Sequence, residues 1–260
     1  MQRRSFLGHA SAALCLCGLC TSTKPSLAEE HGSDHTAHHW SYEGEGRPEK
    51  WGELQSDFKV CQLGLEQTPI DLGNGIRGDV GSVEYDYKPL PLRILNNGHT
   101  ILVNADPGSA CVIAGTRYEL LQFHFHHPSE HLLAGKGFDL ECHLVHKSDA
   151  GAFAVTGVFI RSGAASAALK TFFDSMPAKE GPEVRVGSTV DVGAVLPKSG
   201  GYFRYMGSLT TPPCSEGLTW TVHKEPVEAS AEQIQKFASL FSNNARPVQR
   251  RNHRFLIDAS

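Results

Sequence analysis

The sequence predicts a mainly β (α+β) fold: a single domain dominated by a sheet, with helices at its periphery. Three observations favour this class. Short runs with alternating or β-branched character recur along the chain, Gly and Pro separate them at short intervals, and helical periodicity is scarce. The chain has 260 residues and shows no internal repeat. One well-buried domain accounts for this length.

The first 28 residues differ from the rest and read as a cleavable export signal. Arg3 and Arg4 precede a small-residue and apolar run over residues 10–19, and Ala28 ends a small-x-small cleavage site. The run is too short to span a bilayer, which takes roughly 20 apolar residues, so we expect no membrane anchor. Paired arginines favour a twin-arginine signal, with an ordinary Sec signal as the alternative. A lipoprotein signal at Cys20 is disfavoured because a bulky leucine precedes it.

Removal of this signal leaves an acidic chain, which argues against nucleic acid as a partner. The signal contains three Lys or Arg and no acidic residue, so the remainder carries 21 basic and 28 acidic residues. Residues 29–38 are polar and rich in His, and we expect a flexible arm there. The catalytic domain is expected over residues 39–260, in the periplasm or outside the cell, where disulfides form.

The strand and helix patterns can be assigned in chain order. Seven runs have strand character: residues 92–95, 100–104, 110–113, 118–126, 140–146, 153–160 and 219–223. Two segments have helical spacing, residues 165–173 and 230–241, and Ser230 is a candidate N-cap for the second. Four cysteines remain after signal removal and allow three full pairings, among which these patterns do not choose: Cys61, Cys111, Cys142 and Cys214.

The most informative segment is the strand predicted over residues 118–126. Successive side chains of a strand point to opposite faces, so His124 and His126 share one face with Gln122. The strand over residues 140–146 places His143 and Glu141 on one face in the same way. If the two strands pair as antiparallel neighbours, three neutral imidazoles converge, which suits Zn²⁺ with a fourth position open.

Polar residues beside these histidines favour a metal site over a chance arrangement. Ligating histidines usually donate their second N–H to a carboxylate or carbonyl oxygen. Gln122 lies two residues from His124 on its face, and Glu141 stands likewise to His143. A lone His-x-His would be weak evidence, but two such strands in register predict one zinc ion per chain. Cys142 points to the other face, so it is not expected to be a ligand.

These segments, with others in the same order, resemble the α-class carbonic anhydrases of the exported bacterial type. The resemblance covers roughly residues 39–257. It includes Gln-x-His-x-His at 122–126, Ser-Glu-His at 129–131, Glu-x-His-Leu-Val-His at 141–146 and Ser-Leu-Thr-Thr-Pro-Pro at 208–213. Shorter matches lie at residues 39–42, 67–70, 96–99, 219–220, 224–226 and 244–247. It implies a large, mostly antiparallel twisted central sheet.

The resemblance also implies an activity, the reversible hydration of carbon dioxide to bicarbonate and a proton by attack of zinc-bound hydroxide. In zinc enzymes of this family the metal lowers the pKa of bound water from about 15.7 to about 7. Thr210 would orient the nucleophile while donating its own proton to Glu130. A site of this kind is expected to bind anions and sulfonamide-type inhibitors, and to hydrolyse activated esters as a side activity.

Proton release needs a carrier, and the resemblance gives this role to His99. The unperturbed pKa of histidine, near 6.5, suits a group that takes up and releases protons near neutrality. Tyr42, Asn97 and Thr211 are expected to order the water chain that leads to it. The alternative is that His99 is a loop residue with no role.

An apolar pocket is expected for carbon dioxide, which is uncharged. The resemblance assigns it five residues, which could also be ordinary core residues: Val145, Val155, Leu209, Leu218 and Trp220. It also pairs Cys61 with Cys214 in a disulfide expected to hold the loop that carries Thr210.

The main alternative from another functional class is a non-catalytic binding protein on the same scaffold. Such a relative is expected to lack a zinc ligand, whereas all three histidines are present here. The sequence allows a homodimer without predicting one.

Overall fold

The structure is a computed structural model that describes residues 39–259. The predicted export signal and His-rich arm lie outside the described residues. The strands are β1 (Ile76–Arg77), β2 (Val83–Asp86), β3 (Leu90–Asn96), β4 (Ile101–Asn104), β5 (Ala110–Ile113), β6 (Thr116–His126), β7 (Leu140–Lys147), β8 (Phe153–Ser162), β9 (Val184–Val190), β10 (Tyr202–Ser208), β11 (Glu216–His223), β12 (Val227–Ala229) and β13 (Ile257–Ala259).

The helices are short and lie around this sheet. The α-helices are α1 (Trp51–Leu54), α2 (Val60–Leu63), α3 (Lys170–Ser175) and α4 (Ala231–Ala238). Single 3₁₀ turns occupy Gly44–Gly46, Pro48–Lys50, Ser56–Phe58 and Gly193–Val195. Within residues 39–259, no helix is long and apolar enough to cross a membrane.

All thirteen strands of residues 39–259 join one sheet, which confirms the predicted mainly β class. The main order is β1-β13-β10-β11-β8-β7-β6-β4-β3-β9, while β12 pairs with β8 and β5 pairs with both β2 and β6. Most neighbours are antiparallel; the parallel pairs are β1 with β13, β11 with β8 and β12 with β8. Strands β7 and β8 are buried along almost their whole length, because elements cover both faces of the sheet centre.

The seven predicted strands all form, with ends that differ by a few residues from the expected ones. The helix predicted over residues 230–241 forms as α4, and Ser230 caps it: its hydroxyl accepts from Gln233 N–H at 3.3 Å, and Gln233 Oε1 accepts from Ser230 N–H at 3.0 Å. The helix predicted over residues 165–173 is wrong in its first half, since α3 begins at Lys170. Ser166 instead caps a turn, with its hydroxyl accepting from Leu169 N–H.

Two apolar clusters lie on opposite faces of the sheet and fix which way β6 faces. Phe123 and Phe125 project into the larger cluster, where Phe125 packs on Phe172 of α3 with ring centroids 4.4 Å apart. The alternate residues of β6 therefore face the other side, with the smaller cluster around Trp220. Close packing behind the strand holds the histidine face rigid.

Candidate active site

The pairing of β6 with β7 sets the central geometry of the site. His124 lies directly opposite His143, with His126 opposite Glu141 and Gln122 opposite Val145. The three histidine rings lie 4.6–5.3 Å apart between centroids. The structure thus brings together the three residues that the sequence predicts as metal ligands, by the strand pairing that was expected.

Each of these imidazoles has one nitrogen held by a hydrogen bond. His124 Nδ1–H donates to Gln122 Oε1 at 2.8 Å, and His143 Nε2–H donates to Glu141 Oε1 at 2.8 Å. His126 Nδ1–H donates to the carbonyl oxygen of Asn244 at 2.7 Å. The remaining nitrogens are Nε2 of His124, Nε2 of His126 and Nδ1 of His143, and one ligand atom from each residue lies within 4.8 Å of the others.

Burial keeps these histidines neutral. Loss of solvation lowers the pKa of His126 to about 4, and it lowers the pKa of His124 and His143 as well. Burial alone would raise the pKa of Glu141, but His131 and His143 hold it well below its usual range, so Glu141 is ionised. Neutral imidazoles backed by a carboxylate are in the form that binds a metal ion.

The donor set fits a zinc ion. His126 Nε2 is buried and has no hydrogen-bond partner within residues 39–259, and a metal ion would satisfy it. Three neutral nitrogen donors are a zinc ligand set that leaves one position free. A second cluster of possible ligands, His131 with Glu141 and His143, is already occupied by its own hydrogen bonds.

Glu130 is buried beside this nitrogen cluster. Its Oε1 accepts from the backbone N–H of Arg246 at 2.8 Å, and its Oε2 lies 3.5 Å from His126 Nε2. Burial raises the pKa of Glu130 to about 7, while His143, the Arg246 N–H and the Thr210 hydroxyl each lower it. Thr210 is also buried. The structure therefore places Thr210 beside Glu130, and Glu130 beside His126 and His143.

A cavity of about 120 Å³ opens from the histidines toward solvent. Ten residues line it: Trp40, Tyr42, Asn97, His99, Thr100, Leu102, Gln122, His124, His126 and Thr211. It has room for several waters. The residues predicted to order a water chain, Tyr42, Asn97 and Thr211, thus share one cavity with the predicted shuttle, His99. A larger surface cleft, about 400 Å³ beside Leu65, contains none of these groups.

The loop between β3 and β4 presents His99 at the mouth of this cavity. Asn97 Oδ1 accepts from the backbone N–H of His99 at 3.0 Å and of Thr100 at 2.9 Å. Gly98, which lies between Asn97 and His99, has φ +83°, a left-handed conformation that favours glycine. Asn97 therefore shapes the loop, a role that the sequence did not predict. The ring of His99 stacks on Trp40 at 3.6 Å between centroids.

The five residues predicted to form an apolar pocket lie in one cluster on the histidine side of the sheet. Val145, Val155, Leu218 and Trp220 are buried there, and Leu209 packs against them. The indole of Trp220 lies 4.9 Å from the His143 ring between centroids. An apolar wall therefore stands beside the nitrogen cluster.

Cys61 and Cys214 form a disulfide that joins positions 153 residues apart. Cys214 N–H donates to Thr211 O at 2.9 Å, closing the turn that follows Thr210. The other two described cysteines are free and buried, and Cys142 lies in the cluster opposite the histidines, as predicted.

Sequence reasoning missed the segment around Asn244, whose contacts join the site. The backbone carbonyl of Asn244 accepts from His126, and its side-chain oxygen accepts from the backbone N–H of His127. The side-chain Nδ2–H group of Asn244 donates to the carbonyl oxygens of His99 and Phe125. The guanidinium of Arg246 donates to Cys61 O at 2.8 Å. The motif at residues 244–247 was noted, but it carries no periodicity from which these contacts could be inferred.

The comparisons with known proteins agree with this geometry. The family model of the eukaryotic-type carbonic anhydrases matches residues 46–258. The chain belongs to this family. A carbonic anhydrase from Nostoc sp. (strain PCC 7120) is 47% identical over 226 residues, which cover 85% of this chain and 86% of the relative.

Solved structures of carbonic anhydrases share the fold. The α-carbonic anhydrase of Thermovibrio ammonificans, in complex with the inhibitor sulfanilamide, has a TM-score of 0.83 and 40% identity, over 85% of this chain and 99% of that one. A carbonic anhydrase from Chlamydomonas reinhardtii in complex with acetazolamide has a TM-score of 0.75 and 32% identity, over 84% of this chain and 98% of that one. The α-class resemblance seen in the sequence is therefore confirmed.

Proposed function

We infer that the protein is a carbonate dehydratase, which interconverts carbon dioxide and bicarbonate with release or uptake of a proton. One observation carries this conclusion: a member of the carbonic anhydrase family presents three neutral histidine nitrogens to one point, from two buried rings and one half-buried ring, each fixed by a hydrogen bond at its other nitrogen. A binding protein on the scaffold has no need of this donor set.

His124, His126 and His143 are the proposed ligands of one Zn²⁺ per chain. A zinc ion bound there supplies a Lewis acid that lowers the pKa of coordinated water toward neutrality. The chain's own part is to keep the three nitrogens deprotonated and aimed. Gln122 and Glu141 do this by accepting the second N–H of His124 and His143, and the carbonyl of Asn244 does it for His126.

Thr210 and Glu130 are proposed to select what binds at the open position. When Glu130 is ionised, its carboxylate only accepts hydrogen bonds, so the Thr210 hydroxyl proton is then committed to Glu130. The Thr210 oxygen is then left as an acceptor, which favours a ligand that carries its own N–H or O–H. Sulfonamide-type inhibitors meet this requirement. Anions are also expected to compete, because the site attracts negative charge once a cation is bound.

The apolar wall around Trp220 is proposed to hold carbon dioxide. Val145, Val155, Leu209 and Leu218 complete it, and none of these side chains offers a hydrogen bond that would favour water over an apolar gas.

His99 is proposed to carry the released proton through the waters of the cavity, ordered by Tyr42, Asn97 and Thr211. Burial lowers the pKa of His99, which makes the ring release a proton readily. His99→Ala is expected to slow turnover in weak buffer and to leave it almost unchanged in strong buffer, where buffer molecules replace the ring. An unchanged rate in weak buffer would remove His99 from the mechanism.

The protein is proposed to act in the periplasm or outside the cell, after cleavage near Ala28. Two features support this: an arginine-led apolar segment at the N-terminus and a disulfide in the described domain, a bond typical of oxidising compartments.

The function is tested by stopped-flow hydration of carbon dioxide with a pH indicator. Purified protein is measured as isolated, after removal of metal, and after reloading with zinc. We expect fast hydration that disappears on removal and returns with zinc. Zinc-loaded protein that hydrates carbon dioxide no faster than the buffer alone would contradict the proposal.

A further inference from the structure

A second histidine lies against the predicted proton carrier. The ring of His39 stacks on the ring of His99 with centroids 5.0 Å apart and planes 11° apart. Trp40 stacks on His99 as well, at 3.6 Å and 10°. His99 is thus held in one orientation by two aromatic neighbours.

His39 differs from His99 in its access to water. His39 is exposed, whereas His99 is half-buried at the mouth of the cavity. Two ring atoms about 5–6 Å apart can share one bridging water at normal hydrogen-bond lengths. A proton on His99 therefore has a short route to an imidazole that bulk buffer reaches directly.

Two charged or titratable groups act on His99 from different parts of the chain. Burial lowers the pKa of His99 most. His39 lowers this pKa further, and Glu180 raises it. The Glu180 carboxylate lies against the same loop, since a Cβ at Gly98 would come within 3.0 Å of Glu180 Oε2. The net effect is a lowered pKa, so that protonated His99 gives up its proton readily.

We propose that His39 is a second proton-carrying residue, which accepts protons from His99 and passes them to buffer. This proposal rests on the proposed function and extends it. In the hydration direction, protonated His99 gives up one N–H proton through a bridging water and becomes neutral, while neutral His39 becomes protonated. Buffer base then removes the proton from His39. Each transfer conserves charge, and no oxidant or other co-reactant is needed.

The test uses His39→Phe, which keeps an aromatic ring to stack on His99 but cannot carry a proton. His39→Ala, which loses both properties, is its matched partner. Hydration turnover is measured for the zinc-loaded protein in weak and in strong buffer. We expect both variants to lose turnover several-fold in weak buffer and to match the wild type in strong buffer. Added imidazole should restore the weak-buffer rate.

A double variant separates proton transfer from other effects. In a His99→Ala background, His39→Phe should cause no further loss, because His39 receives its protons from His99. A wild-type weak-buffer rate in His39→Phe, with or without a loss in His39→Ala, would overturn the proposal. An equal loss of His39→Phe in strong and weak buffer would overturn it too. Failure of the proposed function itself would appear separately, as absent hydration in the wild type.

Discussion

Glu141 offers the sharpest test of how the chain prepares the metal site. Its carboxylate is fully buried and accepts three hydrogen bonds: from His143 Nε2–H at 2.8 Å, from His131 Nδ1–H at 2.6 Å and from His131 backbone N–H at 2.8 Å. Glu141→Gln keeps the size of the side chain. It removes the negative charge and replaces one acceptor oxygen by an NH₂ group, which can only donate.

The expected loss follows from these contacts. An amide oxygen can still accept from both rings, but its NH₂ group then faces the His131 backbone N–H, so a buried donor is left unpaired at a cost of about 1–3 kcal/mol. The ring of His143 also loses the carboxylate that raises its basicity. Changes of this kind typically weaken zinc binding about 10- to 100-fold, which corresponds to about 1.4–2.7 kcal/mol of binding free energy.

The assay is competition for zinc with a chelator of known affinity, together with thermal unfolding of the metal-free protein. Glu84→Gln is the control, because Glu84 is exposed on β2. We expect weaker zinc binding and a lower melting temperature for Glu141→Gln, and wild-type values of both for Glu84→Gln. A folded Glu141→Gln protein that binds zinc as tightly as the wild type would refute the reasoning.

Three further predictions follow from the site and the fold. Thr210→Val should lower kcat/KM about 100-fold or more, as loss of a hydrogen-bonding group at a reacting centre does, with zinc content unchanged; a near-normal rate would contradict this role. Replacing Cys61 and Cys214 by Ser should lower the free energy of unfolding by up to about 5 kcal/mol, the loop-closure entropy for a separation of 153 residues; denaturant unfolding measures it, and an unchanged midpoint would contradict it. Burial lowers the pKa of His146 to about 4 in the folded protein, so the unfolded chain takes up a proton first and stability falls as pH drops from 6.5 toward 4. Through His146 the wild type should lose about 2 kcal/mol of stability between pH 7 and pH 5, and His146→Gln should not lose this share. An identical loss in both proteins would count against the prediction.

The parts of the site that the sequence predicted are those that depend on local periodicity. The two-residue repeat of a strand places Gln122, His124 and His126 on one face, and one antiparallel pairing brings His143 opposite. Strand β8 was predictable from another local pattern, because its sequence is a mostly apolar run with β-branched residues. Such patterns need no knowledge of the rest of the fold.

The parts that were missed depend on contacts between distant segments. The carbonyl that holds His126 comes from Asn244, 118 residues further along the chain, and a backbone carbonyl leaves no mark on residue type. The first turn of the predicted helix over residues 165–173 does not form, although its alanines favour a helix. Gln233 accepts from Ser166 N–H at 2.9 Å and donates its Nε2–H to the Ser166 carbonyl at 2.9 Å, and tertiary contacts of this kind override local propensity. Strand β9, a mostly exposed strand beside β3 with Gly187 at its centre, lacks a strong strand signal.

The most direct test of the central claim compares zinc content and carbon dioxide hydration in two single variants. His143→Ala removes one of the three converging nitrogens. His127→Ala removes a neighbour of His126 whose Nδ1–H donates to Ser242 O at 3.0 Å, outside the converging set. We predict that His143→Ala loses both zinc and hydration, while His127→Ala retains one zinc per chain and fast hydration. A folded His143→Ala protein that hydrates carbon dioxide as fast as the wild type would contradict the account.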